Sequence, residues 1–286
     1  MNLPGGPLSG RLAAWWNGMP PRVRTGLVIV GCLVALSLVI PLLSPYDPQR
    51  GTGTDPLSPP SVPHLLGTDH LGRDVFVRTF VAARLDLLLA AVGVSLPLVV
   101  GTLVGSTIGS TRSRLVQYLG EVAIEGINAF PTLIVVIALI AAFGPGANSI
   151  LVALFLTAWA RYAKVARGRA LTIRDIGYLH VARGLGYRWP RILAVHVAPN
   201  VFPTTISYAV SDFVIVILAI AGLSFLGAGV QPPTPEWGAM MSEGRLYLAQ
   251  AWWLALAPGI LLSITAVAVS LIASGRTEDA FTQSAR

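Results

Sequence analysis

Residues Leu87–Thr111 read LLLAAVGVSLPLVVGTLVGSTIGST, a run without a single charged side chain. A hydrocarbon core of about 30 Å is crossed by ~20 helical residues at ~1.5 Å each, so this run can form a membrane-spanning helix. Its apolar residues do not alternate with polar ones, which argues against a barrel strand, and a bilayer offers no water to unpaired backbone groups. Comparable charge-free runs cover 25–46, 126–160 and 246–275, and another, 197–235, is interrupted only by Asp212. The run 126–160 is too long for one helix. Its middle, Gly144-Pro145-Gly146-Ala147-Asn148-Ser149, is a cluster of turn formers, so it divides into two spans joined by a tight external turn. Six spans are expected, near 25–44, 88–110, 124–143, 149–166, 203–225 and 252–274.

Composition agrees. Of 286 residues, 54% are hydrophobic and 12% charged, against about 25% charged in a soluble domain. With a mean hydropathy of +0.69, this excludes an ordinary cytosolic enzyme and leaves an all-α polytopic membrane protein. The net charge of +7 is topological. Placing both termini in the cytoplasm leaves only Arg50, Arg73, Arg78, Arg84 and Arg245 of the basic residues outside, as the positive-inside rule requires. The arginines flank spans and form no aromatic-basic module, so nucleic acid is not an expected partner.

The chain divides into a cytoplasmic segment 1–24, a first span 25–44, an external segment 45–87, a five-helix core 88–274 with a cytoplasmic loop 167–201, and a cytoplasmic tail 275–286. The first span ends in Pro41-Leu42-Leu43-Ser44-Pro45 without a small-x-small cleavage site and reads as a retained anchor. Cys32, the single cysteine, reads as a small packing residue of that span.

Within the external segment, Val75, Phe76, Phe80 and Ala83 recur near helical spacing, which predicts an interfacial helix leading into the second span. Before it, Gly67-Thr68-Asp69-His70-Leu71-Gly72-Arg73-Asp74 has the chemistry of a capped turn. His70 and its aspartates lack a ligand spacing, so no metal site is expected. Gly93, Gly101, Gly105 and Gly109 line one side of the second span and predict a close helix contact. Trp237, Tyr247, Trp252 and Trp253 are expected as an interfacial belt. Asp212, an acid deep inside a span, either lines a substrate path or hydrogen-bonds a neighbouring helix.

Catalytic chemistry is missing. There is no Gly-x-x-x-x-Gly-Lys-Ser/Thr loop, no His-Glu-x-x-His, no cysteine cluster and no Ser-His-Asp order. His64 and His70 fall on one side of the bilayer, His180 and His196 on the other. An ion-coupled secondary transporter would need more intramembrane charge and an inverted repeat.

The cytoplasmic loop contains Tyr178-Leu179-His180-Val181-Ala182-Arg183-Gly184-Leu185-Gly186-Tyr187-Arg188-Trp189-Pro190. A short helix can stop where Gly186 turns left-handed and restart at Pro190, giving a protruding helix-turn-helix. This segment resembles the EAA loop of ABC importer permeases. The external turn 67–74 and Gln231-Pro232-Pro233-Thr234-Pro235-Glu236-Trp237-Gly238 are similar to stretches of the dipeptide, oligopeptide and nickel branch. Tyr178, Ala182, Arg183 and Gly186 match the family loop, while His180 stands at the family's glutamate and Ile220 at an acidic position.

The resemblance implies the type I importer permease fold and a C-type permease of the plasma membrane that moves peptides by alternating access, or nickel or another small solute. It implies an ATPase-coupling loop at Tyr178, His180, Ala182, Arg183 and Gly186, and external family motifs at Thr68, Asp69, Gly72, Arg73, Asp74, Gln231, Pro232, Pro233, Trp237 and Gly238. The implied partners are a homologous second permease, two ATP-binding subunits that carry ATP and Mg, an external solute-binding protein and membrane lipid. No cofactor of the chain itself is expected.

Overall fold

The computed structural model describes residues 16–51, 55–174 and 186–284. Among them the regular elements are helical, apart from an isolated antiparallel bridge between Thr68 and Asp74. Helix α1 is Pro21–Leu43, α2 Val75–Ser110, α3 Arg114–Asn128, α4 Thr132–Phe143 and α5 Ala147–Arg174. Helix α6, Trp189–Ile192, passes through a π-helical turn, Leu193–Val197, into α7, Ala198–Phe225. Helix α8, Trp237–Gly244, precedes a 3-10 turn and α9, Trp253–Ser284. Among the described residues five helical runs are long and apolar enough to cross a membrane, and there are six if the bent pair α3 and α4 is taken as one span.

The centre of the fold is α2 packed along α5. A Cβ on Gly101 would meet Trp159 O and Tyr162 Cβ at 2.5 Å, one on Gly109 would meet Ala170 Cβ at 2.7 Å, and one on Gly105 would strike the Ala163 backbone. The glycine stripe therefore lets two backbones touch where any side chain would part them. Helix α7 packs on the same α2, and α1 docks on α9, where Gly26 faces Ala268 O.

Three expectations about elements change. The interfacial helix and the second span are one 36-residue helix, α2, capped by the Asp74 side chain accepting from Val77 N. Arg78 and Asp86 of this helix are buried against protein, at 2% and 1% exposure.

The third span, expected as one helix over 124–143, instead bends by 82° between α3 and α4. Pro131, which lacks an N–H, sits at the break as the residue preceding α4. Upstream, Glu121 and Glu125 hold α3 to the basic end of α5 through Arg167 at 3.0 Å and Lys164 at 2.8 Å. Cys32, expected to be packed, is exposed on α1. The turn between α4 and α5 carries Gly144 at φ +86° and Gly146 at φ +151°.

Candidate functional site

At one end of the bundle the two external motifs, far apart in the chain, form one polar knot. Gly67 and Gly72 take φ of +69° and +72°, which folds the turn so that Asp69 points inward. Asp69 Oδ1 accepts from Leu71 N and Arg73 N, each at 2.9 Å. Asp69 Oδ2 lies 2.6 Å from Arg73 Nε and 3.5 Å from Arg78 Nε. Both arginines also reach Glu243 Oε2 of α8, at 3.3 and 3.8 Å. Arg78 Nη1 donates to Pro48 O at 2.6 Å and Pro233 O at 3.5 Å. Two buried cations thus face two acids, with backbone carbonyls and N–H groups filling remaining valences, the condition under which buried charge is tolerated.

The neighbouring turn residues are equally committed. Thr68 Oγ1 donates to Asp55 O at 2.6 Å and accepts from Ser58 N at 2.9 Å. Asp74, besides capping α2, holds His64 Nδ1 at 2.8 Å. Ligand atoms of Asp69, His70 and Glu243 lie within 4.8 Å of one another, but the two guanidinium groups already neutralise these carboxylates and disfavour a further cation.

The second motif locks onto α2. Trp237 N donates to Asp86 Oδ2 and Trp237 Nε1 to Thr79 O, both at 3.0 Å. Gly238 is pressed against the Ala221 backbone, and Gln231 Nε2 donates to Gly229 O at 2.9 Å. The Pro232–Pro233 peptide is cis. Glu236 caps α8 by accepting from Ala239 N at 2.7 Å, and its carboxyl lies beside that of Asp86. Burial, ahead of any neighbour, pushes the Glu236 carboxyl above its ordinary 4.5.

This corrects the aromatic belt. Trp237 is fully buried, and Trp253 is 6% exposed with Nε1 directed at Thr68 O, while Trp252 is 55% exposed. The indoles pin the external motifs together, because each N–H finds a carbonyl inside the protein. Among the residues of the knot, Glu243 and Asp86 had no sequence signal beyond being charged.

Inside the bundle, Asp212 is 2% exposed. Its Oδ2 accepts from Tyr162 OH of α5 at 2.9 Å, and its Oδ1 lies 3.7 Å from Arg161 Nη2. Tyr162 meets Tyr208 edge-on, with centroids 5.1 Å apart. Arg161, which charge counting places on the cytoplasmic flank, thus turns into the α5–α7 seam. Close by, Thr102 Oγ1 donates to Thr205 Oγ1 at 3.0 Å, tying α2 to α7.

Of the expected coupling-loop residues, Tyr178, His180, Ala182 and Arg183 lie outside the described residues. Gly186 has φ +78°, and Pro190 falls in the first turn of α6. Between them Tyr187 stacks on His196 and carries Arg191 over its ring at 4.8 Å. Ile220 is fully buried in the core.

This arrangement, six apolar passages around an internal polar seam with a broad polar cap at one end, is that of a multi-pass permease. Residues 101–275 match the family described as binding-protein-dependent transport system inner membrane component. The chain is 34% identical over 259 residues to the di/tripeptide transport system permease protein DppC of Pseudomonas aeruginosa, covering 87% of this chain and 84% of the relative. It is also 34% identical to the nickel transport system permease protein NikC of Escherichia coli, covering 87% and 90%. A third relative, the probable D,D-dipeptide permease DdpC of Escherichia coli, is 31% identical over 93% of this chain and 89% of its own length. A crystal structure of an amino acid ABC transporter shares the fold, with a TM-score of 0.50 at 15% identity, covering 69% of this chain and 91% of that one.

The chain belongs to the family of binding-protein-dependent inner-membrane transport components, in its dipeptide and nickel branch. It is a multi-pass inner-membrane ABC importer permease.

Proposed function

We propose that this permease moves di- or oligopeptides inward by alternating access, with ATP and Mg bound and hydrolysed on two separate subunits. Its other partners are a homologous second permease and an external solute-binding protein. The observation that carries the path is on α7. Thr204, Ser207 and Ser211 are exposed along one side of this spanning helix, three or four residues apart, as successive turns of one face are. Hydroxyl groups exposed on a span are poorly suited to lipid and well suited to an aqueous path between two permeases.

In this reading the polar knot of Asp69, Arg73, Arg78 and Glu243 is a rigid rim at the outer mouth, and Gly186 with Tyr178, His180, Ala182 and Arg183 meets the ATPase. Asp212 serves the path from behind by holding Arg161. The nickel permease relative is as similar as the di/tripeptide one, so nickel is the second substrate to test.

The test is uptake in proteoliposomes holding the complete importer, with labelled dipeptides, longer peptides and nickel supplied through the loaded binding protein. ATP-dependent accumulation of peptide supports the proposal. Accumulation of nickel without peptide would replace the substrate, and ATP-independent uptake would overturn the coupling.

A further inference from the structure

We propose that Arg161 forms a carboxylate-binding site on the translocation path, a reading that rests on α7 presenting its hydroxyl face to that path. Arg161 and Asp212 each occur near the midpoint of a 28-residue helix, α5 and α7. Their side chains are exposed unequally. The Asp212 side chain is 1% exposed and the Arg161 side chain 27%. The acid is shut inside the seam, where Tyr162 satisfies one oxygen, and of the pair only the Arg161 side chain is partly exposed. Arg161 also lies close to Tyr208, which borders Thr204 and Ser211 on the α7 surface. Its Nε is buried without a hydrogen-bond partner, and at 3.7 Å the contact of its Nη2 to Asp212 is an ion pair longer than a hydrogen bond.

A guanidinium carries five N–H donors in a planar fork suited to a carboxylate. Here Asp212 holds the fork through Nη2 and cannot engage all five donors, with hydroxyls along the adjoining face. A cation held at the edge of an intramembrane seam raises the local concentration of anions and repels free divalent cations. The site therefore fits a solute bearing a carboxylate, as every free peptide does at its C-terminus, and a nickel ion would pass only within an anionic chelate.

The experiment separates this site from the path reading. In a Cys32→Ser background, Ser211→Cys is introduced and the complete importer is placed in membrane vesicles. Modification of this chain by an anionic and a cationic methanethiosulfonate reagent is then timed by mass spectrometry. The ratio of the two rates cancels any change in thiolate fraction. With Arg161 present the anionic reagent is favoured, and in the double variant Arg161→Gln/Asp212→Asn, which leaves no unpaired buried acid, the ratio falls about tenfold. A dipeptide slows the anionic reagent more than its C-terminal amide does.

Reaction with neither reagent would overturn the water-filled path and this site with it. Reaction with both at a ratio unaffected by the double variant, or equal protection by dipeptide and amide, would leave the path standing and overturn the carboxylate site.

Discussion

Asp86 Oδ2, on the first half of α2, accepts the backbone N–H of Trp237 at 3.0 Å. This bond joins residues 151 positions apart and fixes the start of α8, so the long loop after α7 is held by a helix that also runs through the centre of the bundle. The same indole donates to Thr79 O, making Trp237 a two-point anchor.

Removing that anchor should loosen the outer face. Trp237→Ala is expected to cost about 3–5 kcal/mol, as deletion of a buried aromatic does, and Asp86→Ala about 1–3 kcal/mol through the orphaned N–H. Thermal unfolding of the purified protein in detergent or nanodiscs checks both. A shift within error for Trp237→Ala would mean that the loop is held elsewhere.

The four-charge knot predicts strong non-additivity. Arg73→Ala leaves Asp69 and Glu243 with less neutralising charge in a buried site and should destabilise by about 3–5 kcal/mol. Adding Glu243→Gln should recover part of that loss, because one uncompensated acid is removed. Simple addition of the two single effects would refute coupling between them.

Glu236 gives a pH dependence of definite sign. Its folded carboxyl is raised above the ordinary 4.5, so below that value both folded and unfolded forms are protonated and nothing is lost. As pH climbs from about 4.5 toward the raised folded value, the unfolded chain releases its proton first, and stability falls through that window. Glu236→Gln retains an acceptor for Ala239 N and should flatten the slope above about pH 4.5. An identical Tm-versus-pH curve for both proteins would exclude Glu236 as the source.

Gly186 sits at φ +78° with open space where a Cβ would stand. The obstacle to substitution is therefore the backbone conformation and not a neighbour. Gly186→Val should strain or redirect the turn by about 1–3 kcal/mol while the permease still inserts and binds its homologous partner. ATP-driven uptake and ATPase stimulation by the binding protein should fall together. Wild-type uptake by this variant would count against coupling through the turn.

Much of this architecture is written in one dimension. Lipid demands long charge-free runs, so Leu87–Thr111 and its counterparts announce themselves, and Gly144-Pro145-Gly146 marks a turn that φ values confirm. The glycine stripe on α2 is legible because helix periodicity gathers Gly101, Gly105 and Gly109 onto one face. Local rules were misleading where a distant segment supplied the environment. Nothing local says that Arg78 and Asp86 are buried, yet Glu243, Pro48, Glu236 and Trp237 surround them. Trp237 and Trp253 have the composition of an interfacial belt, yet carbonyls from Thr79 and Thr68 draw their N–H groups inward. The third passage reads as one helix over 124–143, yet it bends by 82° where Pro131 lacks an N–H and Glu121 and Glu125 pair with α5.

By itself, then, the sequence determined a helical membrane protein, the approximate places of its spans, the small-residue seam and the motifs that mark its family, because each depends on composition or on spacing within one segment. Tertiary structure decided that the two external motifs are one knot, that the third passage is broken, and that Asp212 is hidden while Arg161 is partly exposed. Those properties depend on which charges and hydrogen-bonding groups meet across long chain separations, and burial assigns them a partner that no local pattern names.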